Sequence, residues 1–152
     1  MSELLNRAMR ILAQRDHSEH ELRRKLAAQS FSKIEPVDQN EIERVITYCY
    51  EYSWLDDEKF AFLYLKSRSQ KGYGAQRIQS ELLQKGIERS AIHAIFSESD
   101  IDWGALAKKL ALKRFGTPLP SEWAEKAKIQ RFLLYRGFFQ EDIQTIFHDF
   151  AE

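Results

Sequence analysis

The residues best placed to do chemistry sit in one short stretch, "RSQKGYGAQR" (68–77). Its two glycines let another backbone approach closely. Free N–H groups at the start of the helix that follows can hold a phosphate. Arg68, Lys71 and Arg77 surround the turn, and Tyr73 offers a ring on which a base can stack. The chemistry on offer is anion binding. G-x-x-x-x-G-K and G-x-G-x-x-G are both missing, so neither a P-loop nor a dinucleotide fingerprint is present. The plainer reading of the stretch is a helix–helix turn.

Other reactive residues are sparse. His17 and His20 are three apart, but no cysteine accompanies them and no further histidine is near in sequence, so a metal site is not expected. Cys49 falls seven residues after Ile42 on an apolar face and reads as a small buried side chain rather than a catalytic thiol. The acidic run 56–58 suits the start of a helix, where the dipole favours negative charge, better than a Mg²⁺ site. No nucleophile–base constellation is recognisable, so an enzyme is not expected. Trp54, Phe62, Tyr64, Trp103 and Phe132 recur at helical spacing and read as mostly core.

The elements that must position these residues are helices. Ala, Leu, Glu, Lys, Gln and Arg dominate, and alternating apolar/polar runs are nearly absent. A single cysteine excludes an internal disulfide framework and fits a reducing compartment, so a cytoplasmic location is expected. No apolar run approaches the roughly 20 residues of a membrane helix. The first residues show no uninterrupted apolar core or small-residue cleavage site, so no secretory signal is expected.

The chain repeats itself. "RIQSELLQKGI" (77–87) and "KIQRFLLYRGF" (128–138) share Ile, Gln, Leu, Leu and Gly at equivalent positions. The match extends without a gap to Ile92, Ile95 and Phe96 opposite Ile143, Ile146 and Phe147. A third copy, "SEHELRRKLAAQSF" (18–31), places Leu22 and Leu26 at the same positions and leads to Ile42, Val45 and Ile46 across a longer loop holding Pro36. Upstream of each copy lies another periodic segment: Leu4–Ala8–Ile11–Leu12, Phe60–Leu63–Tyr64 and Trp103–Leu106–Ala107–Leu110. The expected fold is all-α: three tandem three-helix repeats, at 1–54, 55–100 and 101–152, stacked into an elongated, curved body. Ser18 and Glu21 form a capping box, and Gly86 and Gly137 end equivalent helices.

Net charge is zero, but its distribution is not even. Residues 1–34, 59–89 and 108–136 are net basic, while 35–58, 90–107 and 137–152 are net acidic. Repeats in register would align these blocks into stripes, and a positive stripe is a footprint for phosphate or for an acidic protein surface.

The stretches "RAMRILAQRDHSEHELRRKL" (7–26), "WLDDEKFAFLYLKSRSQKGYGAQRIQSELLQKGI" (54–87) and "EKAKIQRFLLYRGF" (125–138) resemble RecX, the family of bacterial regulators of the RecA recombinase. The resemblance covers nearly the whole chain; Trp54 stands where a small residue or Tyr is more usual. It implies tandem three-helix repeats. It also implies a non-enzymatic protein without a cofactor that binds in the groove of the RecA–DNA filament. Such binding would inhibit strand exchange, ATP hydrolysis and co-protease activity, restraining recombination and the SOS response. Single- and double-stranded DNA are expected as direct partners, a membrane is not, and the chain is expected to be monomeric. The basic residues read here as facing DNA or filament are Arg68, Lys71 and Arg77, with Tyr73; Lys113, Arg114, Lys128 and Arg131; and Arg23, Arg24 and Lys25 as an extension. The alternative is a sequence-nonspecific DNA-binding helical module that acts without a filament.

Overall fold

Short polar side chains start the helices. Ser2 accepts the N–H of Leu5 at 3.0 Å and opens α1 (Glu3–Gln14). Ser18 and Glu21 close a reciprocal capping box on α2 (Glu19–Ala28): Glu21 N–H donates to Ser18 Oγ at 3.2 Å, and Ser18 N–H to Glu21 Oε1 at 3.1 Å. Asp38 caps α3 (Gln39–Glu51), Asp56 caps α4 (Asp57–Gln70), and Asp102 caps α7 (Trp103–Phe115). The remaining helices are α5 (Ala75–Gln84), α6 (Arg89–Glu98), α8 (Trp123–Tyr135) and α9 (Gln140–His148). The computed structural model describes residues 2–28 and 38–148. Among them are nine helices and no strand. The longer loop expected to hold Pro36 lies outside the described residues.

Glycine in the left-handed region ends the middle helix of each later copy. Gly86 (φ +83°) and Gly137 (φ +97°) each close a paired turn. Ile87 N–H reaches Leu82 O and Gly86 N–H reaches Leu83 O; Phe138 N–H reaches Leu133 O and Gly137 N–H reaches Leu134 O. Ile87 and Phe138 fold back and are buried, as the sequence pattern requires. Gly72 (φ +89°) ends α4 in the same way.

The chain forms two compact units. The first takes in Met1–Leu63 and Leu82–Ile95. Leu4, Leu5 and Ala8 of α1, Leu22 and Leu26 of α2, and Ile42, Val45, Ile46 and Cys49 of α3 form its core with Leu55. Burying each of the large aliphatic side chains is worth roughly 1.5–3 kcal/mol. Cys49 is wholly buried, and that burial pushes its thiol pKa up, as befits an inert core residue. The second unit takes in Tyr64–Glu81 and Phe96–Glu152. Here α7 packs most extensively on α9, and Ala107, Ala111, Ile129, Leu133, Phe138, Ile143 and Ile146 form the core.

The periodic reading holds except on α4. That helix buries Phe60, Ala61 and Leu65, whereas Leu63 faces outward and Phe62 is 50% exposed. Apolar residues occur on all sides of α4, so the sequence carried no single stripe from which to choose the buried face. Trp54, Tyr64, Trp103 and Phe132 are half-buried.

Candidate functional site

The turn between α4 and α5 is built by backbone bonding within the second unit. Gly74 N–H donates to Arg136 O at 2.9 Å, and Gln76 N–H donates to Gly137 O at 2.9 Å. The helix-start N–H groups that the sequence offered to a phosphate are therefore partly spent on the carbonyls that end α8. A phosphate reading must rest on the side chains.

Those side chains gather around Tyr73. The guanidinium carbons of Arg68, Arg136 and Arg77 lie over the Tyr73 ring at 3.8, 4.3 and 4.5 Å from its centroid. Each such contact contributes about 0.5–2 kcal/mol. The half-buried ring faces cations where the sequence suggested an open platform for a base. Arg136 is fixed by two backbone carbonyls: Nε donates to Gly72 O at 3.1 Å and Nη2 to Lys71 O at 2.7 Å. Arg68 grips Glu81 with two bonds, Nε to Oε1 at 3.0 Å and Nη2 to Oε2 at 2.9 Å. Tyr64 donates its hydroxyl to Glu81 at 2.9 Å, and Arg77 Nε lies 3.5 Å from the same carboxylate. Burial works against the charge on Glu81, but the bonds from Arg68 and Tyr64 outweigh it and hold the carboxyl below its ordinary pKa. Burial likewise opposes the Arg68 charge, and Glu81 outweighs it, raising its pKa. Lys71 stands exposed at the rim. Arg68, Lys71, Arg77 and Arg136 thus surround one ring and one carboxylate. The cluster keeps a surplus of positive charge on side chains already fixed in place, which suits a phosphate or an external carboxylate.

Arg136 was absent from the sequence-derived set. The repeat alignment that pairs it with Lys85 was the available signal. Lys85, in the first unit, also reaches back to an earlier middle helix, where its ammonium bonds Glu21 at 3.2 Å and its carbonyl accepts from Ser18 Oγ at 2.7 Å.

The other basic candidates divide by their partners. In the first unit, Arg23 is held by Glu19 (2.7 Å) and Glu43, tying α2 to α3. Lys25 donates to His17 Nε2 at 2.7 Å, and Arg24 is exposed. The Lys25 bond fixes His17 as the tautomer whose Nδ1–H donates to Arg15 O at 2.8 Å. Burial and the nearby Arg15 and Lys25 charges lower the His17 pKa. His17 thus has structural partners at both nitrogens, and no group of three or more metal-ligating side chains occurs among the described residues. Asp57 lies in the first turn of α4, as the acidic run predicts, and its carboxylate also accepts the N–H of Glu19 at 2.9 Å, at the start of α2. In the second unit, Arg114 lies over Phe132 at 4.8 Å and Lys128 pairs with Glu125 at 3.2 Å. Lys113 and Arg131 are exposed.

Three family models match the chain. They are described as the first, second and third three-helix domains of RecX, and they cover residues 5–49, 56–94 and 101–147. The chain is 55% identical to the regulatory protein RecX of Serratia proteamaculans (strain 568), with all of both chains covered. It is 54% identical to RecX of Yersinia enterocolitica, again over the full length of both. Its fold is similar to the crystal structure of RecX from Lactobacillus salivarius, with a TM-score of 0.80 at 20% identity over 97% of this chain and 94% of that one.

Proposed function

The chain belongs to the RecX family, and on that premise we propose that it restrains RecA by setting the Tyr73 cluster against phosphate in the RecA–DNA filament. Membership makes it a non-enzymatic regulator that inhibits RecA activities. Binding in the filament groove, direct contact with single- and double-stranded DNA, action as a monomer and a cytoplasmic setting are the finer parts of the proposal. So is the division of labour among segments 1–54, 55–100 and 101–152. No helix among the described residues is long and apolar enough to cross a membrane.

The observation that carries the reading is the surplus of cations fixed around Tyr73. Arg68 is a poor residue to test, because it holds Glu81 and covers the Tyr73 ring. A glutamate at position 77 would stand one turn from Glu81 and repel it. The double variant Lys71→Glu, Arg77→Gln reverses or removes charge at the cost of only the longer Arg77–Glu81 contact and one cation over the ring, and it leaves the two Arg68–Glu81 bonds and the backbone-held Arg136 in place. It is expected to raise the concentration needed for half-inhibition of RecA ATP hydrolysis and strand exchange about tenfold, equivalent to about 1.4 kcal/mol. Its helix content and melting curve should match the parent chain. Undiminished inhibition by the folded variant would remove the cluster from the mechanism.

A further inference from the structure

Helix α8 buries Ile129 and Leu133 and leaves a different set of large side chains in solvent. Trp123 is 83% exposed, Tyr135 79% and Leu134 43%. With half-buried Ala127 and exposed Arg131 they are spaced i, i+4, i+8, i+11 and i+12, which puts them on one broad strip of the helix. The strip runs about 18 Å along the axis at about 1.5 Å per residue. Nothing in the core explains this composition. A tryptophan left four-fifths in water contributes little to folding. Trp, Tyr and Arg are also the residues that dominate protein–protein hot spots, being large and stiff for the area they bury. One flank of the strip is basic. Lys128 and Arg131 are exposed there, and Arg114 lies over Phe132 of the same helix. Of the two carboxylates at the start of α8, Glu125 is half-buried and paired with Lys128, and Glu122 is exposed at the N-cap, beyond the basic flank.

We propose that the outer strip of α8 is a docking element that inserts into an apolar cleft, rimmed by carboxylates on one side, on the recombinase protein of the filament. Trp123 and Tyr135 would anchor its two ends, Leu134 would line the floor, and Arg131 would meet the acidic rim. This rests on the reading of the chain as a RecA regulator and adds a protein contact, distinct in chemistry from the phosphate contact assigned to the Tyr73 cluster. A single strand of nucleic acid is the weaker occupant, because Leu134 and Ala127 interrupt the rings and offer a base no stacking partner.

The test uses the full chain carrying Trp123→Ala and Tyr135→Ala together, and separately Arg131→Glu. Binding is measured to RecA filaments assembled on single-stranded DNA and to the same DNA without RecA. The double variant should bind filaments at least about thirtyfold more weakly, as loss of two anchors requires. Arg131→Glu should weaken filament binding about tenfold. Affinity for free DNA should be unchanged by the double variant, and melting unchanged for both, since the replaced side chains lie in solvent. An equal loss on free DNA would make the strip a nucleic-acid face and overturn the proposal. Undiminished filament binding by the double variant would also overturn it, while leaving the RecA reading intact. If the parent chain itself neither binds nor inhibits RecA filaments, both readings fall.

Discussion

Glu21 carries more of the first unit's order than any other single carboxylate described. It accepts the N–H of Ser18 in the capping box, pairs with Arg15 at 3.1 Å, and receives the ammonium of Lys85 at 3.2 Å. Burial alone would raise its pKa; the bonds from Arg15, Ser18 and Lys85 overcome that and bring it down to about 2, against an ordinary 4.5. A carboxylate held lower in the folded state than in the unfolded one stabilises the fold above its unfolded pKa. That contribution is lost as pH falls from about 4.5 toward 2. Solvent screening at the partly exposed Arg15 reduces its size, to about 1–2 kcal/mol. The variant Glu21→Gln keeps an oxygen for the Ser18 N–H but no charge for the two cations. It should be less stable than the parent at pH 7 by about that amount, with the gap closing as both are titrated below pH 3. Denaturant unfolding at a series of pH values measures this directly. A constant gap across the range would show that the ion pairs at Glu21 do not carry the effect.

Between residue and fold, the recurring device is a glycine-ended middle helix docked on the start of an earlier middle helix. In the first unit Gly86 packs against His20 and Ser18 bonds Lys85 O. In the second, Gly74 and Gly137 meet backbone to backbone, and a Cβ on either would overlap its neighbour. Gly137 also sits at φ +97°, so alanine there adds backbone strain of about 1–2 kcal/mol. Gly74→Ala and Gly137→Ala should each cost at least about 2–3 kcal/mol. Gly116 is the contrasting case: its φ is +107° with ψ 165°, and nothing lies within 4 Å of an added Cβ, so Gly116→Ala should cost only the backbone strain, about 1–3 kcal/mol. Gly74 has no positive φ, so a loss below about 1 kcal/mol for Gly74→Ala in denaturant unfolding would mean that the close approach is not what this glycine serves. This device was half legible in the sequence. The shared Leu, Leu and Gly letters gave the helix and its end, because helical period and positive φ leave marks on residue type. The docking left no such mark. Its acceptors are the Arg136 and Gly137 carbonyls, more than sixty positions from Gly74, and any residue has a carbonyl. The same reason hid Arg136, whose partners are backbone atoms, and the Arg23–Glu43 pair, which joins two helices across a loop. The exposed rings of α8 were equally hidden, since apolar letters alone do not say which face of a helix meets a neighbour.

For the molecule as a whole, a net charge of zero argues against nonspecific adhesion to a polyanion, yet the basic side chains are not diluted evenly among the acidic ones. Helices α4 and α7 lie largely, and α5 and α8 wholly, in the basic blocks, while α3 and α9 lie in acidic ones. What binds is therefore a local field, screened over about 10 Å at 0.1 M salt. Two surfaces of the second unit then make opposite predictions. If the Tyr73 cluster meets phosphates, the logarithm of affinity should fall linearly with the logarithm of salt concentration, by about 0.7–0.9 per phosphate neutralised. Lys71→Glu should flatten that line by about one contact. The strip on α8 binds mainly by excluding water from apolar rings, so Trp123→Ala, Tyr135→Ala should lower the line and leave its slope unchanged. Filament binding titrated from about 50 to about 200 mM salt, for the parent and both variants, reads slope and offset together. A slope unaffected by Lys71→Glu would take phosphate away from the cluster, and a slope changed by the loss of Trp123 and Tyr135 would move the nucleic acid to α8.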